Sequence, residues 1–107
     1  MHFDLMLEQK SALATWQFAQ DPAEGDFSRP LPCRRLGDHR REYLDYEGPV
    51  SRGRGAVERV DAGDLELLTA QEALWRFRLD GPRLRGLFEL HLIDSNHQDW
   101  SLVRLGD

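Results

Sequence analysis

The sequence is poor in cysteine, in lysine and in long apolar runs, and the first and last of these shortages each remove a class of protein. The single cysteine, Cys33, excludes an intramolecular disulfide, and one cysteine without partners cannot build a zinc site. No apolar stretch approaches the roughly 20 residues of a membrane-spanning helix. The opening Met-His-Phe-Asp-Leu-Met-Leu-Glu carries charge where a signal peptide is apolar. The expectation is a cytoplasmic protein with no membrane association. A chain of 107 residues holds one domain, spanning residues 1–107, and buries enough surface to need neither disulfide nor structural metal.

A net charge of −5 argues against a protein that coats nucleic acid nonspecifically, because such binding neutralises many phosphates with basic side chains. The charge is uneven. Residues 29–59 contain eight arginines against five acids, a local balance of +3, which leaves −8 elsewhere. Thirteen of the fourteen basic residues are arginine, whose planar fork suits bidentate phosphate contacts, although the same side chains also suit a solvated surface.

Alternation of period two dominates the chain. Phe3, Leu5 and Leu7 share one face of a predicted strand over residues 2–8, and residues 13–18 form a second. Asp21 to Pro32, with three prolines and a glycine, is expected to be a loop. Asp38 to Tyr43 suits one helical turn capped by Asp38, and residues 69–74 suit another. Gly48, Gly53 and Gly55 mark a loop before a predicted hairpin of Ala56–Val60 with Leu65–Leu68. Further strands are expected over residues 75–79, 84–92 and 100–105, with a bend or bulge at Gly86. Many short strands separated by turns imply an all-β or mainly β fold, and closure into a compact antiparallel β-barrel with long loops would remove exposed edges.

Two constellations carry candidate chemistry. In His2-Phe3-Asp4 the imidazole and carboxylate stand at i and i+2 of a strand, roughly 7 Å apart at the base, and can converge on one divalent cation. His39 and Tyr43 would share one side of a helical turn beside several arginines, offering imidazole and phenol donors to a phosphate. Read alone, each pair also suits an ordinary surface hydrogen bond or a packed junction. His91 reads as a strand residue and His97 as a turn residue.

The joint order of several segments resembles the 3′-phosphoesterase domain of bacterial DNA ligase D. His2 to Glu8 followed by Leu13-Ala14-Thr15-Trp16 is similar to that family's His-aromatic-Asp-apolar-Arg-Leu-Glu and Leu-x-Ser-Trp. Asp38-His39 with Tyr43-Leu44-Asp45-Tyr46-Glu47-Gly48 resembles its Asp-His-Pro-Leu-x-Tyr-x-Asp-Phe-Glu-Gly segment. Gly53-Arg54-Gly55-Ala56, Asp61-Ala62-Gly63, Leu79-Asp80-Gly81, Leu84-Arg85-Gly86 and Trp100 resemble further family stretches in the same order.

The resemblance implies a β-barrel that removes a 3′-phosphate or a terminal ribonucleotide from DNA 3′ ends, with manganese preferred, for a polymerase or a separately encoded ligase. His2 and Asp4 match two of the family's three protein metal ligands, and His39 and Tyr43 match residues that engage the reacting phosphate. The third ligand is a histidine six residues before the position of His2, upstream of the first residue here, and the motif arginine is replaced by Met6. Arg52 and Arg54 are candidates to supply the missing charge. A noncatalytic module that binds a nucleic-acid end or a repair partner is the competing expectation.

Overall fold

The computed structural model describes residues 2–9, 12–37, 48–49, 56–57 and 63–106. Its strands are β1 (Phe3–Glu8), β2 (Leu13–Phe18), β3 (Leu31–Arg35), β4 (Gly48–Pro49), β5 (Ala56–Val57), β6 (Asp64–Ala70), β7 (Leu74–Asp80), β8 (Arg85–Asp94) and β9 (Asp99–Gly106). Seven of them form one antiparallel sheet in the order β1-β2-β3-β9-β8-β7-β6, which curls into a nearly closed barrel as expected. Two meanders, β1 to β3 and β6 to β9, are joined along the β3–β9 seam, where Cys33 stands opposite Trp100 and Arg34 opposite Asp99.

Alternation fills the barrel from one face of each strand. The inward residues Trp16, Phe18, Phe77, Phe88, Leu90, Trp100 and Leu102 are all buried. They sort into two layers. At one end Trp16 packs edge to face on Trp75 and Trp100, with centroids 5.1 and 5.6 Å apart, and the Arg35 guanidinium lies over all three rings at 4.9, 5.2 and 5.8 Å. Among the described residues, the three buried indole N–H groups have no hydrogen-bond acceptor. At the other end Phe77 stacks on Phe88 at 5.9 Å, and Phe27 closes over Phe88 at 5.5 Å from the β2–β3 connection. Arg83 ties that connection down through Asp21 (3.1 Å) and Glu24 (2.5 Å). Cys33 is buried, and burial pushes its thiol up to about 12, so it stays protonated and inert.

Several local expectations need correction. Asp21 to Pro32 is not wholly loop: Pro22–Glu24 forms a 3₁₀ turn capped by Asp21, and Leu31 and Pro32 already belong to β3. Proline at the start of a helical turn loses no bond, and Pro32 is tolerated because β2 pairs with β3 only at Arg34 and Arg35, leaving β3 one-sided at Pro32. Residues 69–74 form no helical turn; β6 runs to Ala70, and the Gln71 N–H donates to the Leu74 carbonyl at 2.8 Å, closing a β-hairpin. The expected hairpin of Ala56–Val60 with Leu65–Leu68 is replaced by two pairings, β5 with β4 and β6 with β7. The helical turn at Asp38 to Tyr43 lies outside the described residues.

Gly86 does bend its strand. Its φ is +128°, and a Cβ there would meet the Gly106 carbonyl at 2.5 Å and Arg104 Nε at 2.7 Å. The β8–β9 register shifts beside it, between Leu87 and Phe88.

Candidate functional site

β1 lies at one edge of the sheet and carries the first constellation. Phe3, Leu5 and Leu7 turn inward, which sends His2, Asp4, Met6 and Glu8 to the other face. His2 Nε2 lies 3.7 Å from Asp4 Oδ1, with the side chains 59% and 20% exposed. Two ligand atoms that close can both sit within the about 2.1 Å bond length of one hard divalent cation, since their separation is less than twice that length. A small closing movement of either side chain would bring both atoms to adjacent positions on one octahedral cation, and the exposure would leave room for solvent ligands. Met6, on the same face and opposite Thr15, brings neither charge nor a phosphate donor.

Strand register sets further polar residues beside this pair. Asp4 stands opposite Gln17 of β2, Gln17 opposite Arg34 of β3, and Arg34 opposite Asp99 of β9. Directly opposed residues of antiparallel strands share a face, so these four form one row across the outside of the barrel. The sequence places Arg34 only within the arginine-rich 29–59 segment and gives Gln17 no role. The alternation of Leu31, Cys33 and Arg35 was the available signal for the face of Arg34, and the prolines around it argued for a loop.

His39, Tyr43, Arg52 and Arg54 lie outside the described residues, so of the predicted site residues only His2 and Asp4 are seen together.

Two other polar groups lie on the outer face of the sheet, although Glu89 itself is buried. Glu89 of β8 accepts a hydrogen bond from Arg76 Nε at 2.6 Å and lies 2.9 Å from His91 Nε2. Burial raises its pKa, but Arg76 and then His91 outweigh that effect and hold the carboxyl below its ordinary range. At the β8–β9 turn, ligand atoms of Asp94, His97 and Asp99 lie within 4.8 Å of one another. Hydrogen bonding within the turn accounts for two of them: Asp94 accepts from the Asn96 N–H at 2.9 Å and contacts His97 Nδ1 at 2.8 Å. Among the described residues, no helix is long and apolar enough to cross a membrane.

No curated protein matches the chain. The family model of the DNA ligase D 3′-phosphoesterase domain matches residues 1–92 of the 107, which takes in β1 through β7 and most of β8. With a barrel of the expected kind, an imidazole and carboxylate paired at the start of its first strand, and a family match over most of its length, the chain belongs to the DNA ligase D 3′-phosphoesterase domain family.

Proposed function

We propose that this chain processes DNA 3′ ends as a metal-dependent phosphoesterase in DNA repair, removing a 3′-phosphate or a terminal ribonucleotide. Family membership implies the 3′-phosphoesterase role. The observation that carries metal dependence is the 3.7 Å approach of His2 Nε2 to Asp4 Oδ1. Nitrogen and oxygen donors suit manganese, and a divalent cation there supplies Lewis-acid stabilisation of a phosphoryl oxygen. His2 and Asp4 hold and orient that charge. His39 protonates the leaving oxygen or stabilises developing negative charge, and Tyr43 donates a hydrogen bond to the phosphate. Arg52 and Arg54 contribute to DNA affinity through phosphate contacts. The product, a 3′-hydroxyl end on a primer-template, suits a polymerase or a separately encoded ligase.

The test is release of phosphate from a 3′-phosphorylated DNA primer with manganese, by the wild-type chain, by His2→Ala/Asp4→Ala and by His39→Ala. Both variants should lose nearly all release, and the double variant should also lose manganese binding. Release that survives in either variant defeats the residue assignment. Wild-type protein that binds the 3′ end without releasing phosphate supports instead a noncatalytic end-binding module, the reading that Met6 in place of arginine favours.

A further inference from the structure

Among the described residues, β1 pairs His2 with Asp4, and Met6, the next position on that face, brings no positive charge to steady a phosphate there. We infer that Arg34 supplies this charge, with Gln17 between it and the metal pair. The inference rests on the reading of His2 and Asp4 as metal ligands.

Three observations carry it. First, Asp4, Gln17 and Arg34 stand directly opposite one another on adjacent strands, so all three side chains leave the same face of the sheet. Second, the spacing is right. Two interstrand steps separate Asp4 from Arg34 by about 10 Å at the backbone. A metal ion on Asp4 and a phosphate on the metal fill part of that gap, and an extended arginine spans the remainder. Third, Arg34 is exposed, and among the described residues its side chain makes no hydrogen bond or ion pair, even with Asp99 directly opposite. Gln17 is half-buried and likewise makes no side-chain hydrogen bond among the described residues. The neighbouring Arg35 cannot serve, since the next residue of a strand points the other way and its guanidinium is stacked on three indoles inside the barrel mouth.

A guanidinium in this position recognises a terminal phosphate dianion more than an internal diester. It offers paired N–H donors to oxygens that carry more charge at a phosphorylated end than along the backbone. Arg34 is thus a specificity residue that favours ends with a 3′-phosphate over ends with a 3′-hydroxyl.

Two measurements test this together. One is KM and kcat for a 3′-phosphorylated primer with manganese. The other is the affinity of His39→Ala protein, which should bind without turnover, for that primer and its 3′-hydroxyl counterpart. Arg34→Ala should raise KM at least about tenfold, the size expected for hydrogen bonds to a charged group. In the His39→Ala background it should erase most of the preference for the phosphorylated end. Adding Met6→Arg should restore that preference, because the new charge leaves the same face beside Asp4. Arg85→Ala, which removes an exposed charge paired with Asp80, is the control for charge loss alone and should change neither quantity. Thermal unfolding of each variant confirms that it is folded. If the parent protein neither releases phosphate nor prefers the phosphorylated end, the metal-site reading falls and takes the role of Arg34 with it. If the parent shows either property and Arg34→Ala keeps it in full, the role of Arg34 is overturned while the metal-site reading stands.

Discussion

The Arg35 guanidinium carbon lies 4.9 Å from the centre of the Trp16 ring, although the two residues belong to different strands and pair directly across β2 and β3. A cation over an indole face is attracted by the ring quadrupole, and its alkyl stem covers apolar surface that would otherwise meet water. Arg35 therefore closes the tryptophan end of the core.

Replacing it tests this. Arg35→Ala should lower unfolding stability by about 2 kcal/mol, combining lost ring contacts with lost packing. Arg35→Met should recover part of the loss, because it keeps most of the stem. Urea unfolding followed by tryptophan emission reads both, with emission of the folded alanine variant shifting to the red as water reaches the indoles. An unchanged urea midpoint for Arg35→Ala would show that the core does not depend on this cover.

Arg76 and Glu89 make a second testable pair. Glu89 is buried and Arg76 is 45% exposed, so loss of the two partners should be unequal. Arg76→Ala leaves a buried carboxylate supported only by His91 and should cost roughly 1–3 kcal/mol. Glu89→Gln should cost less, since the freed guanidinium can turn to solvent. The pH dependence follows from the lowered carboxyl of Glu89. Its folded pKa is below the ordinary value of about 4.3, so its stabilisation is present above that value and is lost as pH falls through the lowered one. Wild-type stability should therefore fall more steeply on the acid side than that of Glu89→Gln. Parallel acid limbs in the two proteins would refute the linkage.

At Gly86, alanine should be poorly tolerated. A positive φ strains any side chain, and the new methyl would press on the Gly106 carbonyl. The expected loss is roughly 1–3 kcal/mol, measured as a lower Tm. A variant as stable as the wild type would mean that the β8–β9 bulge relaxes without cost.

The parts of the fold that were legible in the sequence are those where alternation is uninterrupted. Phe3, Leu5 and Leu7 announce β1, and the long run through Phe88, Leu90 and Leu92 announces β8. β3 was hidden because Pro30 and Pro32 flank and interrupt a strand whose outward residues are basic; local chemistry said loop while the seam with β9 imposed strand. The same conflict concealed the site row, since knowing that Arg34 faces outward requires knowing that β3 exists. The hairpin at Leu65 went wrong for a different reason. Turn residues at 61–64 mark where a chain reverses, but not which strand then pairs with it, and β7 proved the partner of β6. His2 and Asp4 were readable because their relation is local to one strand.

The β3–β9 seam also orders events as the polypeptide is made. β1, β2 and β3 are made before β6 to β9, yet within the main sheet only β9 joins them to the second meander, and it is the last of the sheet's strands in chain order. Until then the first meander is a small sheet whose apolar face, with Trp16 and Phe18, has nothing to close over it. The decisive pairings link residues such as Leu31 and Leu102, far apart along the chain, so loop-closure entropy must be met before those contacts form, and folding should be slow for a domain this small. During that interval the nascent chain exposes an unpaired strand edge and two large aromatic rings, the features that expose a folding chain to aggregation.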